Sequence, residues 1–180
     1  IITFHYLINY QIVSFPNFQI NMHSFEVRGG KKLQGEIIPQ GAKNEALQII
    51  SAVLLTPEEV TINNIPDIID VNLLIELLGE MNVTINRSSR HTCTFKADNV
   101  NIDYLHSEAF KKKSGKLRGS VMFAGPMLAR FKKAFIPKPG GDKIGRRRLD
   151  THIIGFEKLG ATYTYHDDGF FHLEGNKMKG

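Results

Sequence analysis

The chain has 180 residues, 42% of them apolar and 23% charged, with a formal net charge of +5: the make-up of a soluble globular protein with one core, or a share of a larger one. No stretch approaches the roughly 18 to 20 uninterrupted apolar residues of a membrane span, and a single cysteine, Cys93, excludes an internal disulfide framework or a Cys-rich zinc site and fits a reducing cytosol. Charge is unevenly spread, since 13 of the 23 Lys and Arg residues lie between Lys111 and Arg148, where Asp142 is the one acidic residue; this predicts a surface that attracts phosphate metabolites, nucleic acid or anionic membrane.

Residues 1–21 are rich in Ile, Phe, Tyr and Asn and lack a positive segment ahead of a compact apolar run, which makes a poor secretory signal. The texture changes at Met22, so 1–21 read as a non-native or disordered leader with the natural start at Met22. Residues 25–30 and 32–38 then read as strand, turn, strand. Residues 42–55 carry apolar side chains at 46, 47, 50, 53 and 54, a helical period, and Thr56-Pro57 stops the helix. A strand is expected at 60–62. Asp70 is then a candidate cap for a helix whose apolar face includes Val71, Leu74, Leu77, Leu78 and Met81. Further strands are expected from Val83, at 92–96 and at 100–102, with Cys93 as a structural thiol in an alternating strand.

The second half repeats this order. A helix over 117–131 with a Gly125-Pro126 interruption, a strand at 134–137, a helix from Asp150 to Leu159 ended by Gly160, and a strand at 162–165 are expected. Residues 54–62 lie over 128–136 at an offset of 74, and Gly79 lies over Gly160 at an offset of 81. The growth of the offset is assigned to a longer second connection, residues 138–148, rich in Gly and Arg. A duplicated αβ unit differing mainly by such a loop suggests a scaffold with a grafted site. The period is too long for a solenoid, so pseudo-symmetry within an α/β fold is the expectation.

In the loop, Gly140-Gly141 can turn amides toward a ligand, and Arg146, Arg147 and Arg148 can hold phosphate or carboxylate; a solvated basic turn is the alternative. Lys43 and Asn44 stand at a helix start that favours anions, or are a cap and an exposed lysine. Arg118 opens the second helix at the place equivalent to Lys43, so two related cations can face one cleft. Asp142 reads either as a salt-bridge partner or, with a raised pKa, as a proton donor. Asp150 reads as a cap, and His152 as a ligand contact or a surface residue. No metal-ligand spacing, nucleophile elbow or phosphate-binding loop ending in Gly-Lys-Ser or Gly-Lys-Thr is present. Lys111 to Lys113 and Arg146 to Arg148 can touch nucleic-acid phosphates with Phe110, Phe131 and Phe135 stacking on bases, although Phe131 and Phe135 fall in regular elements and read as core.

The segments Gly41-Ala42-Lys43-Asn44, Thr61 through Asp67, Leu117-Arg118-Gly119-Ser120, Gly125 through Arg130, Pro139-Gly140-Gly141 and Ile144 through His152 together resemble the enolpyruvyl transferase family, in its UDP-sugar branch. The resemblance runs from Met22 to Gly180; the shikimate-pathway branch shares the fold and fits these segments less well. It implies a pseudo-symmetric α/β fold of repeated βαβαββ units around buried helices, with residues 22–41 as strands of the second domain and 42–180 as an incomplete first domain. It implies transfer of the enolpyruvyl group from phosphoenolpyruvate to the 3-hydroxyl of UDP-N-acetylglucosamine with release of phosphate. That is the first committed step of peptidoglycan synthesis, in the cytoplasm and without cofactor or metal. Lys43, Arg118 and Arg147 would hold the phosphate and carboxylate of phosphoenolpyruvate, Asn44 and His152 would place the UDP-sugar, and Asp142 would sit in a mobile lid.

Two positions depart from the family pattern. Most members have Cys where this chain has Asp142; that Cys assists proton transfer or product release and is alkylated by fosfomycin, which a carboxylate resists. Arg146 and Arg148 replace residues that are usually small and proline. Family members are also much longer, with the general-base aspartate and further arginines in the part this sequence lacks. The missing carboxyl-terminal part of the same protein is therefore the expected partner, and the piece alone is expected to be inactive. A basic anion- or nucleic-acid-binding module without catalysis is the alternative class.

Overall fold

The structure is a computed structural model that describes residues 29, 30, 32, 34–137, 148–165, 170–176, 178 and 179. The chain divides into two units, Ile1–Ile37 and Ile38–Gly180. In the first, the described residues belong to no helix or strand. The strand expected at 32–38 is thus absent among them, since a strand needs a neighbour's hydrogen-bond ladder. The leader and the strand expected from Phe25 lie outside the described residues.

The second unit opens with helix α1 (Lys43–Ala52), which tightens into a 3-10 turn, Val53–Leu55. The periodic residues Ala46, Leu47, Ile50, Val53 and Leu54 are all buried. Then come β1 (Glu59–Ile62), α2 (Ile69–Glu80), β2 (Thr84–Ser89) and β3 (Thr92–Lys96). Along α2, Val71, Leu74, Leu77 and Leu78 are each 0% exposed, a stripe at helical spacing. Cys93 is buried on β3, and burial pushes its thiol pKa up, so it behaves as a small core side chain. Asp70 lies inside α2 and does not cap it, because its carboxylate is taken by Lys43.

A linking segment holds a 3-10 turn at Asp103–His106 and helix α3 (Glu108–Ser114). No strand forms at 100–102; that stretch leads into the turn instead. Ser107 caps α3 by accepting from the Phe110 amide at 3.1 Å. Glu108 in the first turn and Lys111 to Lys113 in the last complement the helix dipole.

The second copy starts as a 3-10 helix, Arg118–Phe123, and becomes α4 (Ala124–Phe131). The break in the expected 117–131 helix therefore precedes Gly125-Pro126. Pro126 sits in the first turn of α4, where its missing N–H costs little. There follow β4 (Lys133–Pro137), α5 (Asp150–Lys158), β5 (Thr162–Tyr165) and β6 (Phe170–Glu174). Asp150 is the first residue of α5 and pairs with Arg148 rather than capping the helix.

Each copy forms one three-stranded antiparallel sheet, ordered β1-β3-β2 and β4-β6-β5. The registers correspond: Val60 faces Phe95 and Ala134 faces Leu173. Val60 maps to Ala134 at an offset of 74 and Phe95 to Leu173 at an offset of 78. The later offset is thus 78, not the expected 81, and Gly79 is not the counterpart of Gly160. That counterpart is Asn82. It is left-handed at φ 66, and its N–H donates to Gly79 at 3.0 Å while that of Val83 donates to Leu78 at 3.1 Å. Gly160, at φ 94, ends α5 the same way, through Glu157 and Phe156 at 2.9 Å each. Asn and Gly are the residues that tolerate this capping conformation.

The buried faces of α1, α2, α4 and both sheets join in one hydrophobic cluster. Arg130 ties the copies together by donating to the carbonyls of Leu54, Thr56 and Ala97 at 3.1, 3.1 and 2.7 Å. Helix α5 has no fully buried residue, and Ile154 and Leu159 are 48% and 45% exposed. Among the described residues, no helix is long and apolar enough to cross a membrane.

Candidate active site

The start of α1 is fixed by a close backbone contact. A Cβ on Gly41 would lie 2.0 Å from the Asn64 carbonyl oxygen, so only glycine lets the chain pass there before Ala42 caps the helix with extended backbone. Lys43 and Asn44 are then the first two helical residues. The Lys43 ammonium donates to Asp70 on α2 at 2.7 Å, both side chains being close to half exposed.

Arg118 opens the second copy's 3-10 helix, and its guanidinium reaches the Arg148 carbonyl at 3.5 Å. His152 is exposed on the first turn of α5. These side chains meet at a cavity of about 340 Å³, whose polar wall includes Lys43, Asn44, Asp70, Lys116, Arg118 and His152. Leu47, Val121, Met122 and Leu149 supply its apolar side. Three cations against one carboxylate leave the wall net positive, and an apolar backing strengthens the field they present to an anion.

Of the six residues singled out in the sequence, Lys43, Asn44, Arg118 and His152 share this cavity. Asp142 and Arg147 lie outside the described residues. Asp70 and Lys116 were missed. The partner that holds Asp70 at the wall is 27 residues away in sequence, and Lys116 stands in sequence beside the run Lys111 to Lys113. Among the described residues, no three His, Cys, Asp or Glu side chains converge on a metal position. Phe110 is 0% exposed and so offers no face to a nucleobase.

The sequence matches the family of EPSP synthase (3-phosphoshikimate 1-carboxyvinyltransferase) over residues 27–180. The chain belongs to this enolpyruvyl transferase family. Among its relatives, the UDP-N-acetylglucosamine 1-carboxyvinyltransferase of Porphyromonas gingivalis is 62% identical over 147 residues, which cover 82% of this chain and 34% of that protein. The protein of the same name from Bacteroides thetaiotaomicron is 58% identical over 160 residues, covering 88% and 37%. The chain thus spans about a third of the length of these curated relatives. The crystal structure of the enolpyruvyl transferase NikO from Streptomyces tendae superposes with a TM-score of 0.65 at 21% identity, covering 84% of this chain and 32% of that one. At that identity the likeness concerns the fold, and it agrees with the duplicated α/β architecture.

Proposed function

We propose that the protein to which this chain belongs transfers the enolpyruvyl group of phosphoenolpyruvate to the 3-hydroxyl of UDP-N-acetylglucosamine and releases phosphate. The observation that carries this reading is the convergence of Lys43 from the first copy and Arg118 from the second on one cavity with Asn44 and His152. It occurs in a chain 62% identical over 147 residues to a relative named UDP-N-acetylglucosamine 1-carboxyvinyltransferase.

The chemistry asks for what this wall offers. The enolpyruvyl substrate carries a phosphate and a carboxylate, and two basic side chains from different elements can hold it at two points and fix its orientation. Protonation at C3 and attack of the sugar hydroxyl on C2 give a tetrahedral adduct. Loss of a proton from C3 and of phosphate from C2 restores the double bond on the product. Charge moves onto the phosphate as it leaves, so fixed cations there favour the transition state. In this reading Lys43, Arg118 and Arg147 hold phosphoenolpyruvate, Asn44 and His152 place the UDP-sugar, and Asp142 serves proton transfer. The rest of the protein supplies the opposite wall and the general base. In this reading the reaction takes place in the cytoplasm.

The test is phosphate release by the whole protein with each substrate omitted in turn. Release that needs both substrates is the expected result, and a folded protein that releases none with both present overturns the reading.

A further inference from the structure

The basic run is divided by its partners. Lys111 pairs with Glu108 within α3 at 3.3 Å, and Lys113 is held by Glu76 and Glu80 of α2. Lys116 stands apart from both. It is exposed, it lines the cavity, and among the described residues its ammonium has no hydrogen-bond or ion-pair partner.

Its direction follows from the backbone. Leu117 is extended, at φ -125 and ψ 110, and its side chain is 2% exposed. Side chains alternate along extended backbone, so anchoring Leu117 in the core turns Lys116 and Arg118 together toward the cavity, where both are found. On the same wall Lys43 already has Asp70 at 2.7 Å. Lys116 therefore presents uncompensated charge beside an apolar surface, a setting that favours a doubly charged anion over a chloride ion.

We infer that Lys116 is a further substrate-holding residue of this cavity and binds a phosphoryl group. The choice of ligands rests on the function proposed above: the phosphate of phosphoenolpyruvate or the diphosphate of the UDP-sugar. The test uses the whole protein with Lys116→Met, which keeps the stem and removes the charge, Lys116→Arg, which restores it, and Lys112→Met as a control outside the cavity.

The expected result for Lys116→Met is a KM raised roughly tenfold, the size of one lost charge-assisted hydrogen bond, with kcat changed less than twofold. Lys116→Arg recovers most of it, and Lys112→Met matches the parent. Whichever substrate's KM moves identifies the phosphoryl group held. An active parent with both KM values unchanged in Lys116→Met overturns the inference. A parent without turnover overturns the proposed function instead, and calorimetric binding of phosphoenolpyruvate and of UDP-N-acetylglucosamine then decides: binding lost in Lys116→Met supports the role of Lys116, whereas equal binding, or none to the parent, removes it.

Discussion

Glu80 receives hydrogen bonds from Tyr104 and from Lys113, and the three groups fix each other's protonation. Burial, and then the bond to Glu80, push the Tyr104 hydroxyl up to about 12. Burial works against the Glu80 carboxylate, but its two donors outweigh it and hold the group below the usual range. The signs of the pH dependence follow from linkage. Tyr104 contributes stability in full below the ordinary tyrosine pKa of about 10, and loses that contribution as the pH rises toward the folded value. Glu80 contributes above the ordinary carboxylate range and loses it as the pH falls through its lowered value. Urea denaturation between pH 9 and about 12 should therefore show a decline in the parent that Tyr104→Phe makes shallower; parallel curves would remove Tyr104 from the account. Asp142 supports a second expectation through its chemistry, since a carboxylate offers no thiolate for alkylation. Whole protein carrying Asp142→Cys should be inactivated progressively by fosfomycin, while the parent keeps its activity under the same exposure.

The junction between Gly41 and α1 is where local backbone geometry decides where a functional side chain stands. Gly41→Ala places a methyl group against the Asn64 carbonyl, and backbone cannot yield as a flexible side chain does. The expected cost is about 1–3 kcal/mol of stability, together with a raised KM for phosphoenolpyruvate because Lys43 moves with the helix start. Gly125→Ala in α4 is the contrast: a Cβ there meets nothing within 4 Å, so the helix gains up to about 1 kcal/mol from the change. Elements with a strong period were legible in the sequence; α2 is buried along the stripe that its spacing defines. The capping expectations failed at Asp70 and Asp150 because the helices begin earlier, after Ile68 and Leu149, which leaves each carboxylate within its first turn and paired with a cation, Lys43 or Arg148. Helix α3 lies outside the expected elements although Ser107-Glu108 and the trailing lysines are an ordinary start and stop signal; a run of lysines signals a basic surface as readily as a helix end. The expected offset of 81 pairs a glycine with a glycine, whereas the fold pairs conformations, and Asn82 adopts the one that Gly160 does.

The site was legible as a set of residues and not as a geometry. Lys43 and Arg118 could be paired from the repeat alone, but Asp70 belongs to the wall only because α1 packs against α2, a contact that leaves no trace in spacing, and Lys116 only because Leu117 between it and Arg118 is buried. At the scale of the molecule, the chain covers 34% and 37% of its two relatives described above, and it shows one positively charged wall of the proposed site. The 180-residue chain alone is expected to give no phosphate release under conditions where the whole protein turns over, and turnover by the chain alone would show that this wall suffices. The corresponding registers have a further use. At one register position the first copy sets Thr61 against Thr94, hydroxyl to hydroxyl at 2.9 Å, and the second sets Phe135 against His172, ring centroids 4.9 Å apart. One strand geometry thus accepts two unrelated chemistries. The duplicated frame is therefore an experimental instrument as well as a scaffold: the same change can be made in either half of one molecule, under one set of solution conditions, each half serving as the other's reference. A change that harms both halves alike reports on folding, and one that harms only the half it touches reports on what that half has been specialised to do.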